Sequence, residues 1–284
     1  MPKIDDHIML TPSQPRQLRL DTIAGCNAKC LSCHRFLTER AGTMPRELFL
    51  QVLNDVARWE RPLEELVPTN YGEFFLLKDW SWFLSRICEK LPRTKVVIPT
   101  NGSMLDEIAV RQLCAFPNVK VVNFSVNAYY DETYERFMGL PASNIERIKK
   151  AVKYIDVLRP DIIKWASMVF DLEYQTDYER DTFINYWIPH AAPQILAAQS
   201  AGRPGKKPQV PVTLPCRSIF SDFVIGFDGK LSSCCFDSGF TLDIGSYTGD
   251  VKKDWKNEKI EALRKAHNEH LRSTITLCKE CTFA

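Results

Sequence analysis

No apolar run in this chain of 284 residues is long enough to cross a bilayer. Its opening, MPKIDDHIMLTPSQPRQ, has no apolar signal region, so a cytoplasmic location is expected. Neither sign of charge dominates: 37 Lys and Arg stand against 35 Asp and Glu. That balance gives no electrostatic footprint for nucleic acid or a membrane surface, and neither is expected as a partner. Internal repeats and low-complexity tracts are also missing, which removes repeat arrays from consideration. What the chain does have is cysteine, ten residues of it. Without an export signal, these are expected to be metal ligands rather than a disulfide framework.

Hydrophobic periodicity predicts strands at 16–23, 65–73, 95–102, 119–128 and 161–170. Helices are predicted at 45–60, with Pro45 at the start, and at 77–92, 104–116, 144–158 and 178–188. Strand–helix alternation at near-regular spacing argues for a parallel α/β sheet, open or barrel-like. In such sheets the active site lies at the carboxyl ends of the strands. Four segments fall there: Cys26 to Cys33, Gly72-Glu73, Thr100-Asn101-Gly102, and Ser125 with Asn127. Each alone reads as turn chemistry; together they mark a site.

After residue 190 the composition changes. Residues 1–190 form one expected domain, and 191–215, rich in Ala, Pro, Gly and Lys, read as a linker. Residues 216–284 form a second domain. It holds Cys216, a hairpin at 222–237 around Asp228-Gly229, a helix at 256–271, and Cys278-Lys-Glu-Cys281.

The stretch CNAKCLSCH (26–34) contains two motifs. Cys30-Leu-Ser-Cys33-His34 has the spacing of a c-type haem attachment site. That reading requires export and leaves Cys26 idle. Cys26, Cys30 and Cys33 instead offer three thiolates to a [4Fe–4S] cluster, leaving one iron open. His34 is read as a polar loop residue. The second set is Cys216, Cys234 or Cys235, Cys278 and Cys281, four thiolates with nothing open. A structural zinc site fits the same ligands. Cys88 and Cys114 lie on apolar helix faces and are expected in the core.

C-x3-C-x2-C after the first strand of a β/α repeat resembles the radical S-adenosylmethionine (radical SAM) superfamily. YGEFFLLKDW, TNGSML and VNFSVNAYYDETYERFMG are similar to its later strand-end segments. The pattern C-x17-C…C-x2-C, with Gly229 five residues before Cys234, resembles its SPASM/twitch-type auxiliary-cluster domains. Within the superfamily the arrangement is similar to short dehydrogenases of aminocyclitols with one auxiliary cluster. The resemblance implies a partial (β/α)6 barrel followed by a small β-hairpin-plus-helix twitch domain. It implies S-adenosylmethionine and two [4Fe–4S] clusters as cofactors. Cys26, Cys30 and Cys33 would hold the first cluster, and Cys216, Cys234, Cys278 and Cys281 the second. Glu73, Asn101, Ser125 and Asn127 would contact S-adenosylmethionine. Ser32 departs from the aromatic residue usual before the third cysteine, and Phe36 is the candidate replacement. Cys235 is either a buried small residue or a catalytic hydrogen donor or acid/base.

A fully ligated auxiliary cluster implies redox work, and hence net oxidation of a substrate that has lost a hydrogen atom to a 5′-deoxyadenosyl radical. The short segment before the first strand favours a small molecule over a ribosomal peptide. Peptide epimerisation or crosslinking is the alternative within the same chemistry. A zinc- or cluster-binding module is the alternative outside enzymes. The expected electron donor is a flavodoxin or ferredoxin.

Overall fold

Strand β1 (Gln17–Leu20) shows how burial divides the fold. Leu18 and Leu20 are fully buried while Gln17 and Arg19 are half-buried, so alternate residues face opposite sides. The computed structural model describes residues 9–198, 214–279 and 281. After β1 come α1 (Arg46–Val56), β2 (Glu65–Val67), α2 (Trp80–Lys90), β3 (Lys95–Thr100), α3 (Glu107–Cys114) and β4 (Val119–Ser125). Then follow α4 (Asp131–Met138), α5 (Ser143–Leu158), β5 (Ile163–Phe170), α6 (Asp177–Trp187) and β6 (Ala192–Ala197).

The helices bury single apolar stripes against the sheet. On α1 these are Phe49, Val52, Leu53 and Val56; on α5, Ile145, Ile148, Val152 and Ile155. Local signals set the boundaries. Asp106 and Thr176 cap α3 and α6 by accepting from the backbone N–H groups of Ala109 and Glu179. Gly139 closes α4 in the left-handed conformation, φ +62°.

Strands β1 to β6 are parallel and lie side by side in chain order, the arrangement of a partial (β/α)6 barrel. The last part of the chain adds α7 (Ser218–Ser221), β7 (Asp222–Ile225), β8 (Leu231–Ser232), α8 (Val251–Asp254) and α9 (Glu258–Asn268). Strand β7 pairs parallel to β1, and β8 pairs antiparallel to β7. The expected hairpin turns through Gly229 at φ +80°, where glycine carries no Cβ penalty.

Two expectations need correction, and one strand pairing joins the expected domains. The linker expected at 191–215 begins with a strand, because β6 pairs with β5 from Trp165↔Ala192 to Phe170↔Ala197. Its small residues conceal it: backbone pairing along the sheet edge holds it, not a buried face. Residues 199–213 of that segment lie outside the described residues. The two expected domains also share one continuous sheet through the β1–β7 pairing. Further ties join them: Asp55 of α1 accepts from Val251 N (2.6 Å), and Trp255 Nε1 donates to Pro12 O (3.0 Å). Finally, the strand expected at 65–73 stops at Val67, because Pro68 offers no N–H to a ladder.

Candidate active site

The loop after β1 brings three thiols together. Ala28 N donates to Cys26 Sγ (3.4 Å), and Arg35 N donates to Cys33 Sγ (3.4 Å) as Cys33 caps the turn His34–Leu37. Cys33 N in turn donates to Cys30 O (3.0 Å), which curls the loop. Burial, and then the neighbouring thiols, push Cys30 up to about 12; burial and the Glu73 and Cys33 charges push Cys26 up. The Arg35 guanidinium opposes both shifts. Three sulfurs within each other's field, with one cation beside them, suit a group that binds thiolates and releases their protons. Phe36 is 52% exposed with Arg35 stacked on it, a solvent-facing position for the expected aromatic surface.

Glu73 is 2% exposed, and its carboxylate is engaged by the protein. Oε1 accepts from Thr100 Oγ1 (2.8 Å) and Phe75 N (3.2 Å), and Oε2 accepts from Asn101 N (2.7 Å). Three of about four acceptor positions are used. Burial raises its carboxyl to about 6 against these bonds. Glu73 thus clamps the end of β3. Gly72 is required beside it: a Cβ there would lie 1.8 Å from the Ile23 carbonyl oxygen. Asn101 then reaches the cysteine loop, with Nδ2 donating to Asn27 Oδ1 (2.9 Å) and lying 3.7 Å from Cys26 Sγ.

Asn127 has φ +62° and ties β4 to β5, its Oδ1 accepting from Val169 N (2.7 Å). Its Nδ2 points at Met138 Sδ (3.0 Å), which lies 3.5 Å from Cys30 Sγ. Ser125 ends β4 beside Ser167 of β5. All four expected cofactor contacts therefore sit at carboxyl ends of strands β2 to β4 or in the turns just beyond. The structure adds Met138 beside Cys30 and gives Thr100, part of the marked Thr100-Asn101-Gly102 turn, a bond to Glu73.

Cys216, Cys234, Cys278 and Cys281 line one cavity with Ser233, His267 and Arg272. Cys235 is not among its walls. Its thiol is raised to about 11 by burial; the Arg19 charge on β1 opposes the rise, and the Asp222 charge on β7 and Cys216 add to it. The adjacent pair thus differs: Cys234 lines the cavity with the other three cysteines and Cys235 does not. Cys278 is pushed up to about 12 by burial, opposed by Arg272. Among the described residues, no three Cys, His, Asp or Glu side chains are gathered tightly enough to ligate a single metal ion. Of the two cysteines expected in the core, Cys114 is buried and Cys88 is half-buried.

His34, read as a polar loop residue, begins the short turn His34–Leu37 and is buried, 4% exposed. Its ring lies 5.2 Å from Phe236 and 6.3 Å from Tyr71 between centroids. Phe236 lines the four-cysteine cavity, and the Tyr71 hydroxyl donates to the Cys235 carbonyl. Burial, then the Cys235, Cys234 and Cys33 charges, raise the Tyr71 phenol. His34, Tyr71 and Phe236 thus join the two cysteine sets by packed rings.

The radical SAM superfamily model matches residues 20–169, and the SPASM model, an iron-sulfur cluster-binding domain, matches 216–282. No curated protein sequence matches the chain. Solved structures share its fold. BtrN in complex with AdoMet and 2-DOIA is 16% identical, with TM-score 0.66 over 94% of this chain and 92% of its own. Streptococcus suis SuiB bound to precursor peptide SuiA is 14% identical, with TM-score 0.72 over 95% of this chain and 70% of its own. Native anSMEcpe with bound AdoMet and Cp18Cys peptide is 15% identical, with TM-score 0.67 over 93% of this chain and 88% of its own.

Proposed function

The chain belongs to the radical SAM superfamily, and on that premise we propose that it oxidises a small molecule by dehydrogenation. Its cofactors are S-adenosylmethionine and two [4Fe–4S] clusters, as a radical SAM domain followed by an iron-sulfur cluster-binding domain implies. When bound, these groups supply a 5′-deoxyadenosyl radical and an electron acceptor, so that a substrate CH–OH loses one hydrogen atom, one electron and one proton to become a carbonyl.

In this reading Cys26, Cys30 and Cys33 hold the first cluster, and Arg35 favours their thiolates. Asn101, Ser125 and Asn127 present polar groups to the cofactor. Glu73 positions the Thr100–Asn101 turn and has little acceptor capacity left for the cofactor itself. Cys216, Cys234, Cys278 and Cys281 hold the second cluster. Cys235, beside Cys234 but off that cavity's walls, would be the substrate hydrogen donor or proton acceptor. A flavodoxin or ferredoxin delivers the electron and takes it back. Residues 1–190 and 216–284 would carry one centre each.

The oxidation reading rests on the second cysteine set. Four thiols around one cavity match every iron of a cubane, which leaves electron transfer rather than substrate chelation as its task. The fold of BtrN, over nearly the whole of both chains, supports the small-molecule substrate. The folds of SuiB and anSMEcpe, solved with peptides, support peptide modification as the second reading.

The test is anaerobic reconstitution, then turnover with deuterated aminocyclitols and, separately, with peptides. Deuterium in 5′-deoxyadenosine and a product two mass units lighter than its unlabelled alcohol substrate would support dehydrogenation. S-adenosylmethionine cleavage stimulated only by peptides would refute it.

A further inference from the structure

Two residues that line the four-cysteine cavity each carry a buried polar atom without a partner among the described residues. His267, on α9, is 1% exposed. Its Nδ1 accepts from Cys216 N (3.1 Å), so the ring hydrogen sits on Nε2. That Nε2 is buried and unbonded. Ser233, beside Cys234, is fully buried, and its Oγ is likewise unbonded. Both residues line the cavity, whose other walls include Ile219, Leu242, Leu263 and Leu277.

A buried donor left unpaired is costly, and native folds rarely tolerate one, let alone two into one space. The apolar walls offer no acceptor and disfavour water. Besides the Ser218 hydroxyl, the side-chain acceptors on the cavity's walls are the cysteine sulfurs, together with whatever those sulfurs hold. A [4Fe–4S] cluster is a matching occupant: it carries negative charge and only acceptor sulfurs.

We infer that His267 Nε2–H and Ser233 Oγ–H donate hydrogen bonds to the sulfurs of the cluster held by Cys216, Cys234, Cys278 and Cys281, and raise its reduction potential. The direction follows from charge. Reduction adds an electron to the cluster, and donors aimed at its sulfurs favour the more negative form. Arg272, 2% exposed and lining the same cavity, acts in the same sense, because a buried cation beside the cluster also favours its more negative form. A raised potential suits a cluster that accepts an electron from substrate. The inference rests on the reading that this second set holds a cluster, and it assigns His267 and Ser233 as positioning and tuning residues.

The experiment uses the full chain with Cys26/Cys30/Cys33→Ala, reconstituted anaerobically so that only the second cluster remains. Its midpoint is followed by EPR-monitored redox titration. His267→Asn keeps an acceptor for Cys216 N but removes the Nε2 donor; His267→Gln keeps a donor at the Nε2 position. We expect His267→Asn and Ser233→Ala each to retain iron. Each should shift the reduction equilibrium toward the oxidised form by roughly tenfold, about 59 mV for one electron, with a smaller shift in His267→Gln. Unchanged midpoints in His267→Asn and Ser233→Ala with full iron would overturn the inference. Stoichiometric zinc, or no iron, in the parent triple variant would instead overturn the cluster reading beneath it.

Discussion

Replacing Asp21 by Asn tests the electrostatics of the strand that feeds the first cysteine loop. Asp21 follows β1 directly and is 3% exposed. Burial raises its carboxyl from 3.8 to about 6, although the backbone N–H groups of Tyr71 and Asn70 and the charge of Arg40 all favour the anion. Its Oδ1 is buried and unbonded among the described residues. Because the folded value lies above the unfolded one, the folded state holds the proton more tightly. Its contribution to stability is complete below the unfolded value and is lost as pH rises through about 6. A shift of roughly two units corresponds to about 3 kcal/mol of burial cost borne by the wild type near pH 8, and about half of that near pH 5. Asn keeps an acceptor for the two N–H groups and carries no charge. Asp21→Asn should therefore raise the thermal midpoint of the anaerobic protein by roughly 5–10 °C near pH 8, with a clearly smaller gain near pH 5. An unchanged or lower midpoint near pH 8, or a gain independent of pH, would refute the reasoning.

Gly72→Ala should destabilise the protein by at least about 1–3 kcal/mol in denaturant melts and empty the first cysteine set of iron, because the atoms its Cβ meets belong to the backbone of Ile23 and Gly25. Wild-type stability and iron in that variant would show that the Gly72 approach is looser than described. The reconstituted wild type should bind roughly eight irons, and the Cys26/Cys30/Cys33→Ala variant about half, with no S-adenosylmethionine cleavage by chromatography; retained cleavage would end the radical reading. Cys234→Ala should lose the second cluster while Cys235→Ala keeps it, and the reverse iron contents would show the pair assigned backwards. If the substrate is an epimerised peptide, Cys235→Ala should still cleave S-adenosylmethionine yet release no epimer.

Legibility followed sequence distance. The first cysteine loop could be read because its three ligands fall within eight residues and directly follow an alternating strand. Strands β3, β4 and β5 and helices α1 and α5 declared themselves by apolar period. Helix α4, DETYERFM, spans two polar turns and shows little beyond Tyr134, Phe137 and Met138. Strand β6, APQILA, offers no buried face to read. The second site was legible only as a spacing pattern, since Cys216 and Cys281 stand at opposite ends of the hairpin and helix. His267 carried no signal at all, because one histidine on a polar helix looks solvated until the fold turns it inward. The same holds for Arg264, which is 2% exposed yet stacks on Trp255 at 3.8 Å and donates to the Ile219 and Trp255 carbonyls.

The shared sheet changes what holds the two sites in relation. A linker between independent domains would leave their separation to chain statistics. Here β1 pairs with β2 on one side and β7 on the other, with Arg19 opposite Val67 and Val224. The first cysteine loop leaves β1, Tyr71 follows β2, and Cys234 and Cys235 follow the β7–β8 hairpin. Register is strongly specified, because slipping β1 by one residue would turn Leu18 and Leu20 out of the core and Arg19 into it. The same pairing that buries those leucines therefore sets the distance between the cysteine sets, and His34, Tyr71 and Phe236 pack in the space it leaves. The proposed dehydrogenation, with electron transfer and hydrogen abstraction on one substrate, would need that distance fixed. In this chain the hydrophobic pattern of a single four-residue strand fixes it.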